Sequence, residues 1–182
     1  MPESLSSGDP SAICNLQSTI ALVTIGAYGW DAARFFAALV EAGVDLFCDL
    51  RARRGVRGAE YAWANSERLQ ARLQILGIRY VHRRDLAPSA ATRAAQGAAD
   101  KATGTAKRQR AILSVAFIQA YRRERLDGFD SAAFIAELGP DVRVAALFCV
   151  EREPAACHRS LVAERLVKDL GARVLHLLPS GD

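Results

Sequence analysis

Short apolar runs alternate along the chain with longer segments of helical period, and this alternation restricts the fold more than any other feature. The runs are Ala21–Ile25 closed by Gly26, Val44–Leu50, Ile78–His82, Val142–Cys149 and Arg173–Leu178. A first helix is expected from Asp31, a plausible N-cap, with Phe35, Phe36, Leu39 and Val40 on its inner face and Gly43 at its end. A second starts at Asn65 or Ser66, carries Leu69, Leu73 and Leu76, and stops at Gly77. Residues 109–126, 131–138 and 157–170 read as further helices. Strand-to-strand connections of this length are crossovers, which imply parallel neighbours and right-handed units. The expectation is therefore an α/β chain: a mostly parallel five-stranded sheet with helices on both faces, a Rossmann-like three-layer arrangement. Strand order does not follow from the pattern. Residues 78–82 alternate polar and apolar, which places them near a sheet edge. Residues 87–108, rich in Ala, Thr, Gly and Gln without a firm period, read as a long loop or lid holding a short helix at 90–96.

The chain has 182 residues, 51% of them hydrophobic, which suits one domain over residues 19–182. Residues 1–18 are polar and acidic, with neither the basic start nor the apolar core of a secretory signal, and are expected to be a flexible tail. No apolar run approaches the ~20 residues that span a membrane. Four cysteines (Cys14, Cys48, Cys149, Cys157) are too few and scattered for a disulfide scaffold, so a reducing cytoplasm is the expected compartment. The net charge of +4 is compatible with nucleic acid without arguing for it. Its distribution is more telling. Arg51, Arg53, Arg54 and Arg57 crowd one loop, and Lys101, Lys107, Arg108 and Arg110 crowd another. These are either solvated faces or contacts for an anionic ligand.

In open parallel sheets, ligands sit beyond the carboxyl ends of the strands. Three exits gather polar residues: Gly26 to Trp30, Asp49 to Arg51, and Cys149 to Ser160. The last leads through Pro154 into a helix that opens Cys157-His158-Arg159-Ser160. A helix start favours anions, so His158 and Arg159 there need an anionic partner. Glu151 or Asp49 can be that partner, as can a ligand phosphate or carboxylate. Cys149 stands where nucleophilic thiols stand in some α/β enzymes, or is a packed core thiol. Cys157, at the helix start beside His158 and Arg159, has the better setting for a lowered pKa. Glu151 suits a general acid or base, or a salt bridge to Arg159 or Arg51. Where Cys-x5-Arg would place its arginine, after Cys149 and the intervening 150–154, stands Ala155, so that loop of phosphatases and sulfurtransferases is absent. Cys149, Cys157 and His158 have the right atoms for a metal. Their spacing matches no standard zinc pattern and adjacent Cys and His seldom share an ion, so no metal is expected. His82 and His176, within strands, read as structural.

Together Thr24-Ile25-Gly26, Asp49-Leu50-Arg51, the run Gly77 to His82, and Cys-x-Glu followed by Cys-His-Arg-Ser (Cys149, Glu151, Cys157 to Ser160) resemble the DUF488 family over about residues 20–178. The chain departs from many members after Arg51, where Ala52-Arg53-Arg54-Gly55-Val56-Arg57 replaces a loop containing Pro and Ser. The resemblance implies the fold and the position of a site, and no reaction. The combined expectation is an enzyme acting on a small anionic substrate such as a nucleotide or nucleoside derivative. Cys149, Glu151 and His158 are the expected catalytic residues; Gly26, Tyr28, Asp49, Arg51, Cys157, Arg159 and Ser160 are expected to bind substrate. No cofactor and no membrane are expected. The alternatives are a non-catalytic nucleic-acid-binding module using the arginine-rich loops, and a thiol or redox protein.

Overall fold

The computed structural model describes residues 20–179; the expected tail, residues 1–18, lies outside them. Five strands form one all-parallel sheet: β1 (Ala21–Gly26), β2 (Leu46–Asp49), β3 (Arg79–His82), β4 (Val144–Cys149) and β5 (Arg173–Leu177). Their order is β3-β2-β4-β1-β5. The alternating strand β3 is indeed at an edge. β4, late in sequence, inserts between β1 and β2, so Gly26 lies opposite Cys149 and Asp49 opposite Phe148. The three polar exits picked from the sequence are thereby adjacent.

Successive residues of a strand face opposite sides of the sheet, and the two sides are covered by different helices. Val23, Ile25, Phe47, Ala146 and Phe148 pack with Phe35, Phe36 and Leu39 of α1 (Ala32–Glu41) and with Leu69 and Leu73 of α2 (Ser66–Ile75). Leu22, Leu46, Cys48, Ala145 and Leu147 pack with Phe117 and Tyr121 of α4 (Val115–Tyr121), Phe134 and Leu138 of α5 (Ser131–Leu138), and Leu161, Val162 and Leu166 of α6 (His158–Leu170). Asp31 caps α1, its carboxylate accepting from the Arg34 N–H at 2.9 Å. Asn65 precedes α2 but does not cap it: its side-chain oxygen accepts instead from the Val56 N–H at 2.7 Å and ties down the arginine loop.

Two expectations need correction. Residues 87–108 are mostly helix, not loop: α3 runs Ala90–Thr103, capped by Ser89 Oγ on the Thr92 N–H and closed by Gly104 with φ +64°. Its buried residues are Thr92 and Gln96, both polar, so no apolar period marks it. Residues 109–126 are not one helix. α4 begins only at Val115, and its last turn widens into a π-helical stretch, Arg122–Leu126. The preceding backbone is drawn into tertiary bonds, Leu113 N–H to the Ala155 carbonyl at 2.8 Å and Ser114 N–H to Gln96 Oε1 at 2.8 Å.

Candidate active site

β4 leaves the sheet at Cys149, and the chain beyond it folds back across the end of β1. The N–H groups of Ala27 and Tyr28 both donate to the Val150 carbonyl, at 3.1 and 2.9 Å. The approach requires glycine at 26, since a Cβ there would lie 1.8 Å from the Glu151 carbonyl oxygen. Arg159, fully buried, clasps the same turn from beneath, donating to the carbonyls of Glu151 at 2.6 Å and Arg152 at 2.8 Å. A single 3-10 turn, Pro154–Ala156, then carries the chain to Cys157, the N-cap residue of α6. The Sγ atoms of Cys149 and Cys157 each lie 3.9 Å from His158 Nδ1, and the three atoms are within 4.8 Å of one another.

Electrostatics divide the two thiols. Burial disfavours ionisation of Cys157, but the Cys149 hydrogen bond and the charges of Arg159 and His158 outweigh it and hold this thiol well below the ordinary range. That same hydrogen bond, reinforced by burial, pushes Cys149 up. Glu151 is buried beside them; desolvation, with the Cys157 charge adding to it, raises its carboxyl to about 7 against Lys107, Arg110 and Arg159.

These groups line a cavity of about 970 Å³ beyond the strand ends. Its wall is cationic, with eight Arg and Lys residues against two carboxylates, Asp100 and Glu151. The arginine loop contributes Arg51, Arg53 and Arg57 from one side, and α3 with the segment after it contributes Arg93, Lys101, Lys107, Arg108 and Arg110 from the other. Arg110 pairs with Asp100 and stands 3.6 Å from Glu151, while Lys107 stands 3.9 Å from Glu151. Arg108 lies over the rings of Tyr28 and Tyr61, 5.1 and 5.3 Å from their centroids.

A family model described as "Domain of unknown function DUF488" matches residues 31–166, well over half of the chain. The chain belongs to the DUF488 family. No curated protein and no solved structure matches it.

In this DUF488 chain, Tyr28, Arg51, Cys149, Glu151, Cys157 and His158 line the cavity. Gly26, Asp49, Arg159 and Ser160, expected as substrate ligands, are absent from its lining. Gly26 and Arg159 hold the 150–153 turn in place, as described above. Asp49 takes Arg51 in a two-point ion pair, Nε to Oδ1 at 2.8 Å and Nη2 to Oδ2 at 2.7 Å, and also accepts from Tyr80 Oη at 2.8 Å. Arg51 spends its remaining donor Nη1 on the Ala64 carbonyl at 2.9 Å, so the pair braces the loop. Ser160 Oγ donates back to the Cys157 carbonyl at 2.9 Å and steadies the first turn of α6. The two strand histidines are satisfied as expected: His82 Nε2 donates to the Arg51 carbonyl at 2.8 Å, and His176 Nδ1 bonds buried Thr24 Oγ1 at 2.7 Å. Among the described residues no helix is long and apolar enough to cross a membrane.

Arg93, Gln96 and Asp100 line the cavity without any signal in the sequence, and Lys107, Arg108 and Arg110 join them there. The two basic clusters were the available signal, but each alone resembles a solvated face. Their meeting across one cavity is a property of the fold.

Proposed function

We propose that the protein is an enzyme acting on a small anionic substrate, a phosphate- or carboxylate-bearing molecule of the nucleotide class, bound beyond the strand ends. The observation that carries this reading is the excess of eight cationic over two anionic side chains around one concave cavity with Cys149, Cys157, His158 and Glu151 at its inner end. Isolated surface charges are individually weak and screened. Grouped around a low-dielectric cleft they raise the local concentration of an anion. Arg53, Arg57, Lys101 and Lys107 supply the charge that meets the ligand. Arg51, committed to Asp49, and Arg110, committed to Asp100, supply field and shape. Glu151, two residues beyond the end of β4, is the group placed to accept or donate a proton to the bound molecule.

Thermal-shift and calorimetric titration with nucleotides, sugar phosphates and pyrophosphate tests the reading on wild type, Arg57→Ala and Lys107→Ala. A ligand at a hundred times its dissociation constant should add about 2.7 kcal/mol of stability. Both variants should weaken binding and keep their unliganded Tm. An absence of any anion response, or equal affinities in all three proteins, rejects the reading. Binding of oligonucleotides alone, falling steeply with salt, would transfer the assignment to a nucleic-acid-binding module.

A further inference from the structure

Cys149, Cys157 and His158 present two sulfurs and a ring nitrogen to one point. We propose that these three residues form a zinc-class metal site with one coordination position open to the cavity. Both sulfurs lie 3.9 Å from Nδ1, and no pair among the three atoms exceeds 4.8 Å. In a tetrahedral site with Zn–S of ~2.3 Å and Zn–N of ~2.0–2.1 Å, the ligand-to-ligand edges are roughly 3.5–3.8 Å. The sulfur-to-nitrogen edges thus need only a few tenths of an ångström of contraction, which side-chain torsions supply.

The histidine is already set for the task. His158 Nε2 lies 3.2 Å from the Leu50 carbonyl oxygen, which can only accept, so Nε2 carries a proton and Nδ1, facing the sulfurs, is the nitrogen a metal would take, releasing any proton held there. Metal-bound histidines are oriented by this kind of outer bond. The Tyr121 ring, 5.4 Å away centroid to centroid, packs against the imidazole and restrains its rotation. The adjacency of Cys157 and His158, which argues against a shared ion in most backbones, is resolved by the helix boundary. Cys157 is extended, at φ −139° and ψ 140°, and His158 is the first helical residue, so the chain turns between them and both side chains reach the same point.

The donor set selects the metal class. Two thiolates and an imidazole favour zinc-like ions over magnesium or calcium, which seek oxygen. Three protein ligands with an open position is the pattern of reactive rather than purely structural zinc sites. All three residues line the cavity, so a water or an oxygen of a bound anion can complete the shell. The site stands independently of the anionic-substrate reading, because the ion needs no substrate to bind.

The test is cobalt titration of the full-length protein, reduced and stripped with a chelator. One equivalent of Co(II) should produce thiolate-to-metal charge-transfer absorption and the intense visible bands of four-coordinate cobalt, and one equivalent of zinc should abolish both. Cys149→Ser, Cys157→Ser and His158→Gln should each weaken metal affinity at least tenfold. Cys48→Ser, at a thiol buried within β2 outside the cluster, should leave the spectrum unchanged. Wild type that takes up no cobalt, or takes it up without thiolate absorption, overturns the proposal whether or not the variants fold. Charge transfer that survives in folded Cys149→Ser and Cys157→Ser overturns it as well. Metal binding with no anion response would sink the proposed substrate class and leave this site standing.

Discussion

Replacing Arg159 separates a residue that binds a ligand from one that builds the cavity. Its guanidinium is fully buried, and it donates to the Glu151 carbonyl at 2.6 Å and the Arg152 carbonyl at 2.8 Å. Arg159→Ala deletes both bonds and leaves two carbonyls to find other donors, at about 1–3 kcal/mol each where they stay buried. The void left by the side chain adds to this unless water enters. The expected loss is about 4 kcal/mol, a fall in Tm of roughly 8–16 °C for a chain of this size. Urea and thermal unfolding followed by circular dichroism measure it. Arg159→Lys keeps a charge but cannot span both carbonyls, and should fall between wild type and the alanine variant. The contrasting possibility is a direct anion ligand. In that case the alanine variant would keep a Tm within about 2 °C of wild type, by the same scaling, while losing anion affinity. That result would refute the argument from burial and hydrogen bonding.

Gly26→Ala attacks the same turn from the other side. Its new Cβ, 1.8 Å from the Glu151 carbonyl oxygen, must displace backbone, so a loss of about 3 kcal/mol is expected in urea unfolding. Asp49→Asn breaks the buried two-point pair with Arg51 and should cost about 3–5 kcal/mol. Tyr80, raised to about 12 by burial and by the Asp49 charge, should then titrate closer to its ordinary value in an ultraviolet absorbance titration of the still-folded variant. Asp100 sets an acid limb. The Arg110 hydrogen bond, partly opposed by burial and aided by Gln96, holds its pKa below 3.8 in the folded chain. Its stabilisation is therefore present above that value and lost as pH falls through the lowered one. Asp100→Asn should be less stable than wild type near neutrality, with the gap closing in strong acid. A gap that is constant with pH contradicts the assignment.

The strand runs were legible because parallel central strands are buried on both faces and must be continuously apolar, as Leu46–Cys48 and Val144–Cys149 are. Only the first half of α3, residues 90–96, was legible, because its buried residues, Thr92 and Gln96, are polar and serve hydrogen bonds rather than the core. The break ahead of α4 is equally invisible in the pattern, because its cause is not local. Leu113 is claimed by Ala155 and Ser114 by Gln96, partners 42 and 18 residues away. Arg159 was recognisable as part of the Cys-His-Arg-Ser segment, but not as a clasp. Its direction depends on where residues 151 and 152 fold.

By itself the sequence determined the α/β class, the parallel connections and the three strand exits where polar residues gather. These follow from periodicity and chain connectivity, which are properties of neighbours along the chain. Only the tertiary structure decided that β4 lies between β1 and β2, that two basic clusters face each other across one cavity, and that Cys149 meets Cys157 and His158. Those outcomes depend on how helices and strands pack at long range. Side chains distant in sequence acquire a common field and a common focus only when that packing brings their backbones together.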